Sequence, residues 1–380
     1  MRILVVSDVS GYMPGGVPAE ARQLMTALAE RGHELLYAGD VAVVPAAVAD
    51  HAPIDVPIGD GLPARLQGLI DGFRPDVVHV LCMSSRGVLA LAPVLRGRPW
   101  VLTVHSVSPY ERKLNRAHGS ERLHYGLRAL RFLANTLAWR WVFRRVAIPR
   151  VIVHSDFVAD IVGRYGFDRQ RVDRILLPFR PAAGDATVRP ARGGHEPVLV
   201  TVGGLAHTKG QHDVVKALPA LAKRHPGIRY HMIGEVRDST YVEWLRSLAE
   251  HLGVAQRLTF SFGLDNAAKA DALAKASVYV QPSHEEGFCL SYIEAAAVVA
   301  RLVGTDSGAI AAMSRDDPGA RVVSIASPDA LAAAVIDVMA AELPETHMAE
   351  RTGRLSTRFS ESAYAEGHLG AYARAEALAR

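Results

Sequence analysis

Only two cysteines, Cys82 and Cys289, occur in the 380 residues, and they stand far apart with no redox or metal-type spacing. That excludes a disulfide framework, and both read as free buried thiols. Long apolar runs are also missing. Uncharged, apolar stretches such as Ala295 to Ala300 fall well short of the roughly 20 residues a membrane-spanning helix needs. No cationic leader and long apolar segment open the chain. Met1-Arg2 passes directly into Ile3-Leu4-Val5-Val6, a buried-strand pattern, so the expectation is a cytoplasmic protein. A Gly-x-Gly-x-x-Gly turn is absent, which disfavours a dinucleotide-dependent dehydrogenase. No His/Cys group has metal-ligand spacing, so no metal is expected. Excess charge of one sign is small: 43 basic against 39 acidic residues give a net +4, which argues against a nucleic-acid partner.

What is present is an ordinary globular composition, 49% apolar and 22% charged, at a length suited to two domains. Short Val/Ile/Leu-rich runs alternate with longer amphipathic stretches. Candidate strands in the first half are 3–6, 34–38, 77–81, 100–104, 151–154 and 174–177. Those in the second half are 198–202, 229–233, 258–261, 278–281, 302–305 and 321–324. The alternation predicts two α/β domains, each a doubly wound parallel sheet covered on both faces. A Pro/Gly/Ala-rich stretch over 179–196 reads as the linker between a domain at 1–178 and one at 197–360. Ligands of such sheets bind outside the carboxyl ends of the strands, here facing a cleft between the domains.

The most informative segment is Ser283-His284-Glu285-Glu286-Gly287-Phe288-Cys289-Leu290-Ser291-Tyr292-Ile293-Glu294. It follows a candidate strand and opens into a helix. Glu286 would sit before the helix and Glu294 inside its first turns, straddling an N-terminus whose free N–H groups suit a diphosphate. The two carboxylates could then accept hydrogen bonds from a sugar on one side and a ribose on the other. A second segment, Val202-Gly203-Gly204-Leu205-Ala206-His207-Thr208-Lys209-Gly210, puts a lysine after a strand-end turn, where it can neutralise a departing phosphate. His207 reads as a loop histidine. A third, Gly11 to Glu20, holds Gly15-Gly16 ahead of a helix, where glycine lets backbone approach a ligand.

Glu286-Gly287-Phe288 with Glu294 resembles the Glu-x7-Glu signature of the retaining glycosyltransferases of family 4, which have the GT-B fold of two Rossmann-like domains. The resemblance extends through Thr305-Asp306-Ser307-Gly308 to Phe359-Ser360…Tyr364…Tyr372, which looks like a final helix, about 361–380, crossing back onto the first domain. It implies catalytic roles for Glu286, Lys209 and His105, the last lying after the fourth strand, near the reacting sugar. It also implies donor binding by Gly15, Gly16, Gly204, Gly287, Phe288, Cys289, Leu290 and Glu294. In one respect the sequence departs from the family: Gly204 stands where an arginine on the diphosphate is usual. No Asp-x-Asp occurs, so the metal-clamping carboxylates of the other large glycosyltransferase fold are missing. The implied activity is metal-independent, retaining transfer of a sugar from a UDP- or GDP-sugar to a hydroxyl of a small-molecule, natural-product or lipid acceptor. The alternatives are a nucleotide-sugar epimerase or hydrolase on this fold, and a non-catalytic sugar-nucleotide-binding subunit.

Charge is unevenly placed. Residues 111–150 carry ten Arg or Lys and two Glu, and they interleave Arg128, Arg131, Arg140, Arg144 and Arg145 with Phe132, Trp139, Trp141 and Phe143. Three readings stay open for this segment: a solvated helix with aromatics packed inward, an anionic acceptor, or peripheral contact with the inner face of a membrane.

Overall fold

The structure, a computed structural model, describes residues 1–7, 16–39, 61–81, 84–105, 120–179 and 196–379, without the side chains of 16–19 and 120–132. Two compact units emerge, one formed by Met1–Pro178 with Phe359–Arg380 and the other by Phe179–Arg358. Most of the 179–196 stretch read as a linker lies outside the described residues, as do Cys82 and Gly15.

The first unit is built on six strands: β1 (Arg2–Ser7), β2 (Glu34–Ala38), β3 (Val77–Leu81), β4 (Trp100–Thr103), β5 (Arg150–Val153) and β6 (Val172–Arg174). All pair in parallel, in the order β2-β1-β3-β4-β5-β6. Every residue of β3, β4 and β5 is buried. That is why these strands read as nearly continuous apolar runs, each with one polar residue (His79, Thr103 and Arg150), and not as alternating ones: helices cover both faces of the sheet. The helix Glu361–Ala379 returns to this unit and packs on β3, β4, β5 and the helix Gly16–Ala29. Its Tyr372 hydroxyl meets the fully buried His79 Nδ1 at 2.8 Å, and His79 Nε2 meets Thr103 Oγ1 at 2.7 Å.

One strand departs from its expected position. The apolar run 174–177 predicts β6, yet the strand is Val172–Arg174. Its middle residue, Asp173, is buried and accepts two hydrogen bonds from Arg150, at 2.7 and 2.8 Å, and one from Arg374 at 2.7 Å. A paired buried carboxylate can hold an edge strand that no apolar pattern announces.

The second unit repeats the plan with β7 (Val198–Val202), β8 (Arg229–Ile233), β9 (Leu258–Ser261), β10 (Val278–Gln281), β11 (Leu302–Thr305) and β12 (Ala320–Val323). The order is β12-β11-β10-β7-β8-β9, again all parallel. Both sheets are thus doubly wound, as the alternation of strands and helices predicts. In the second, the chain runs outward from β7 to β9, then crosses to β10 and runs the other way. The point of reversal lies between β7 and β10, and a crevice for a ligand opens outside the carboxyl ends of strands at such a point.

Candidate functional site

The loops leaving β7 and β10 are interlocked. The Thr208 carbonyl accepts hydrogen bonds from the N–H groups of His284, at 2.9 Å, and Glu285, at 3.3 Å. Between the loops sits Gly210, with φ of +68°; a Cβ there would come within 2.0 Å of the Pro282 carbonyl oxygen. Only glycine permits both that backbone angle and that approach. The contact draws together side chains that are 77 positions apart: Lys209 Nζ lies 2.8 Å from Glu286 Oε1.

Glu286 is held on the same oxygen by Ser283 Oγ at 2.7 Å and by Gln281 Nε2 at 3.5 Å. Gln281 is anchored in turn: its amide donates to Ser283 Oγ at 2.8 Å, and its carbonyl accepts from Tyr279 at 2.5 Å and Ser291 at 3.3 Å. All three bonds to the Glu286 carboxylate converge on Oε1, leaving Oε2 as an acceptor for a ligand hydroxyl. Burial works against the charge on Lys209, but the Glu286 carboxylate outweighs it and raises the lysine pKa above its ordinary value. Lys209 therefore stays cationic throughout the physiological range, with a side chain 28% exposed.

Other expected positions fall around this pair. Cys289 is buried, adopts φ of +88° and immediately precedes the helix Leu290–Ala296; burial pushes its thiol pKa up, so it is a poor nucleophile. Phe288 is buried, and its carbonyl accepts the Ala309 N–H at 2.9 Å. Leu290 is the first residue of the helix, Glu294 lies exposed within it, and Gly287 is in the loop before it. Gly204 is in the loop after β7, and its carbonyl accepts from Gln211 Nε2 at 3.2 Å. His207 is a packing residue, with its ring 4.4 Å from that of Tyr241 and 4.9 Å from that of Trp244.

His105 belongs to the first unit, beyond β4, where sequence reasoning missed its partner. Its Nε2 lies 2.5 Å from Oε2 of Glu20, a residue of the helix Gly16–Ala29. Glu20 Oε1 is 2.8 Å from His154 Nε2, and His154 Nδ1–H donates to the Ile175 carbonyl at 2.7 Å. Burial raises the Glu20 pKa, but the two imidazoles together more than offset it and hold the carboxyl well below the usual range. These donors sit at hydrogen-bond spacing. The three donor atoms lie within 4.8 Å of one another, a grouping that could also hold a metal ion, and as built Glu20 orients His105. Glu20 and His105 are 85 positions apart, and no spacing rule could have joined them.

Comparison with known proteins accords with both halves. Residues 15–178 match the family model described as glycosyl transferase 4-like domain, and residues 188–356 match that of glycosyl transferases group 1. The chain belongs to the GT-B glycosyltransferases. This glycosyltransferase is 28% identical to a glycogen synthase of Mycobacterium tuberculosis over 350 residues, covering 82% of this chain and 79% of that protein. It is 26% identical to a phosphatidyl-myo-inositol mannosyltransferase of Mycolicibacterium smegmatis, covering 89% and 85%. Among solved structures, the sucrose-phosphate synthase of Thermosynechococcus elongatus shares its fold with a TM-score of 0.72, 18% identity and coverage of 99% of each chain. Anabaena HepE, solved with UDP and glucose, shares it with a TM-score of 0.68, 17% identity and coverage of 97% of this chain and 98% of that one.

Proposed function

We propose that this glycosyltransferase is a retaining, metal-independent enzyme of family 4 that takes a sugar from a UDP- or GDP-sugar and delivers it to a hydroxyl of a small-molecule, natural-product or lipid acceptor. The observation that carries the reading is the Lys209–Glu286 pair, 2.8 Å apart, in the loops that flank the reversal point of the second sheet. A fixed cation beside a carboxylate with one open oxygen is what a sugar diphosphate requires. Lysine meets the leaving phosphate and Glu286 Oε2 accepts from a sugar hydroxyl. The bond between the anomeric carbon and the diphosphate oxygen breaks as the acceptor oxygen bonds to the same face, and the acceptor proton passes to the departing phosphate. No separate general base is needed. Gly15 and Gly16 then bind the donor, and His105 meets the donor sugar and organises the acceptor face, with Glu20 and His154 fixing the imidazole. Gly287, Phe288, Cys289 and Leu290 supply backbone around the phosphates, and Glu294 takes the ribose.

Purified protein incubated with a panel of UDP-, GDP- and ADP-sugars, with and without cell extract, should release nucleoside diphosphate from one of them when acceptor is supplied, in buffer containing a chelator. The product should keep the anomeric configuration of the donor by NMR. Inverted product would sink the retaining assignment. Release without any acceptor would favour hydrolysis, and binding of every donor without turnover would favour a non-catalytic subunit.

A lipid acceptor or peripheral membrane contact draws on a second observation. On the helix Ser120–Arg145, Trp139, Val142 and Phe143 pack inward, but Leu133, Leu137 and Trp141 form an exposed stripe at four-residue spacing. Arg144 and Arg145 lie exposed in its last turn. An apolar ridge edged by arginines suits the interface of an anionic bilayer. No helix among the described residues is long and apolar enough to cross a membrane. The protein should therefore co-sediment with vesicles containing anionic lipid and not with neutral ones, and Leu137→Ser with Trp141→Ser should reduce binding about tenfold or more. Equal sedimentation of the double variant would exclude this face as the contact.

A further inference from the structure

The loops after β7 and β8 are zipped together beyond their strands. The Ile233 and Glu235 carbonyls each accept a hydrogen bond at 2.8 Å, from the N–H groups of Gly203 and Leu205, and Leu205 pairs in parallel with Val236. This register carries Arg237 to the side of Gly204, where its side chain lies flat across the glycine. A Cβ at position 204 would stand 2.6 Å from Arg237 Nε and 2.7 Å from its Cδ. Gly204 is thus the floor on which the Arg237 side chain rests, and a side chain at 204 would displace it.

Arg237 is exposed and, among the described residues, has no hydrogen bond or ion pair. Its neighbour Asp238 accepts from Thr240 Oγ1 at 2.7 Å, and Glu235 is not paired with it. It is close enough to Lys209 for its charge to oppose protonation of that lysine. Two cations thus stand near each other, and the carboxylate that faces Lys209, Glu286, is already bonded to it. Like charges held near each other favour an anion between them. A guanidinium offers a planar fork of donors that matches phosphate oxygens, which a lysine cannot.

We propose that Arg237, reaching from the β8 loop, binds the donor diphosphate in the place of a guanidinium that Gly204 in the β7 loop does not carry. The inference rests on the nucleotide-sugar reading above and adds to it a residue and a reason for the glycine. The missing arginine at 204 and the arginine at 237 are two halves of one exchange, because both side chains cannot occupy the same space.

Calorimetry on the full chain tests it with UDP, GDP and ADP, and with the corresponding monophosphates as controls. Arg237→Ala should weaken binding of the preferred diphosphate about 10- to 100-fold while changing monophosphate binding much less. Arg237→Lys should recover only part of the loss, since a point charge lacks the fork. Returning the guanidinium from the other loop, in the double variant Gly204→Arg with Arg237→Ala, should restore most of it. Unchanged diphosphate affinity in Arg237→Ala overturns the inference and leaves the nucleotide-sugar reading standing. An equal loss for mono- and diphosphates also overturns it, pointing to a role in loop folding alone. Failure of the unaltered protein to bind any of the three diphosphates removes the nucleotide-sugar reading and the inference with it.

Discussion

Lys209→Ala should lower kcat/KM for sugar transfer by about 10²–10³-fold, the usual cost of removing one group that meets charge developing in the transition state. The alanine variant keeps the β7 and β10 loops joined, because their contact runs through backbone at Thr208, His284 and Glu285 and through Gly210. Its loss should therefore appear in turnover without a comparable fall in thermal midpoint. Glu286→Ala should be at least as damaging, since it removes the carboxylate proposed to accept from the donor sugar and leaves Lys209, Ser283 and Gln281 without their common partner. The pair should also be non-additive. Once Glu286 is gone, removing Lys209 costs less than it does alone, because each helps to orient the other. Steady-state kinetics on the two single variants and the double variant measure this directly. Full activity in either single variant would show that the reacting sugar lies elsewhere.

The second large effect is on stability. Arg351, on the helix His347–Arg358, is 1% exposed, and so is the side chain of its partner Asp317. Its Nε and Nη2 reach the two Asp317 oxygens at 2.5 and 3.1 Å, Nη1 donates to the Val299 carbonyl at 2.6 Å, and Nη2 donates also to the Ala300 carbonyl at 2.7 Å. Nη1 also reaches the carbonyl of Ala296, the last residue of the helix Leu290–Ala296, at 3.3 Å, so one side chain satisfies a buried acid and a helix-terminal carbonyl. Arg351→Met should destabilise the protein by about 3–5 kcal/mol, the range for breaking a buried pair and leaving one charge behind. That is a large part of the roughly 5–15 kcal/mol that holds a domain folded. Urea unfolding measures it, and a loss under about 1 kcal/mol would refute the assignment. Changing Asp317 to Leu in the same chain should recover part of the loss, since no carboxylate is then stranded. The helix that opens beside Glu286 and Cys289 is the one Arg351 secures at its other end, so donor affinity should fall in the single variant too.

Much of this protein can be read from its residues in order. Val77–Leu81 and Val278–Gln281 are apolar at all but one position each, the pattern of a strand buried on both faces. Lys209 and Glu286 stand out because a strand-end loop with glycine, and a loop opening a helix, each carry a charged residue that has no packing role. Such local signals survive in sequence because they depend on neighbours three to eight positions away.

What the sequence does not contain is distance. Strand β6 was displaced because Asp173 is held by Arg150 and by Arg374 from the last helix, partners no periodicity links to it. Glu20 meets His105 and His154, and Arg237 lies across Gly204, only because parallel strands bring their carboxyl ends to one edge of a sheet. Patterning by itself determined two doubly wound sheets and put Lys209 and Glu286 in loops that leave strands of the second. The pairing of those charges was decided by tertiary structure alone, since ion pairs and hydrogen bonds depend on a few tenths of an ångström between atoms that the chain separates by tens to hundreds of residues.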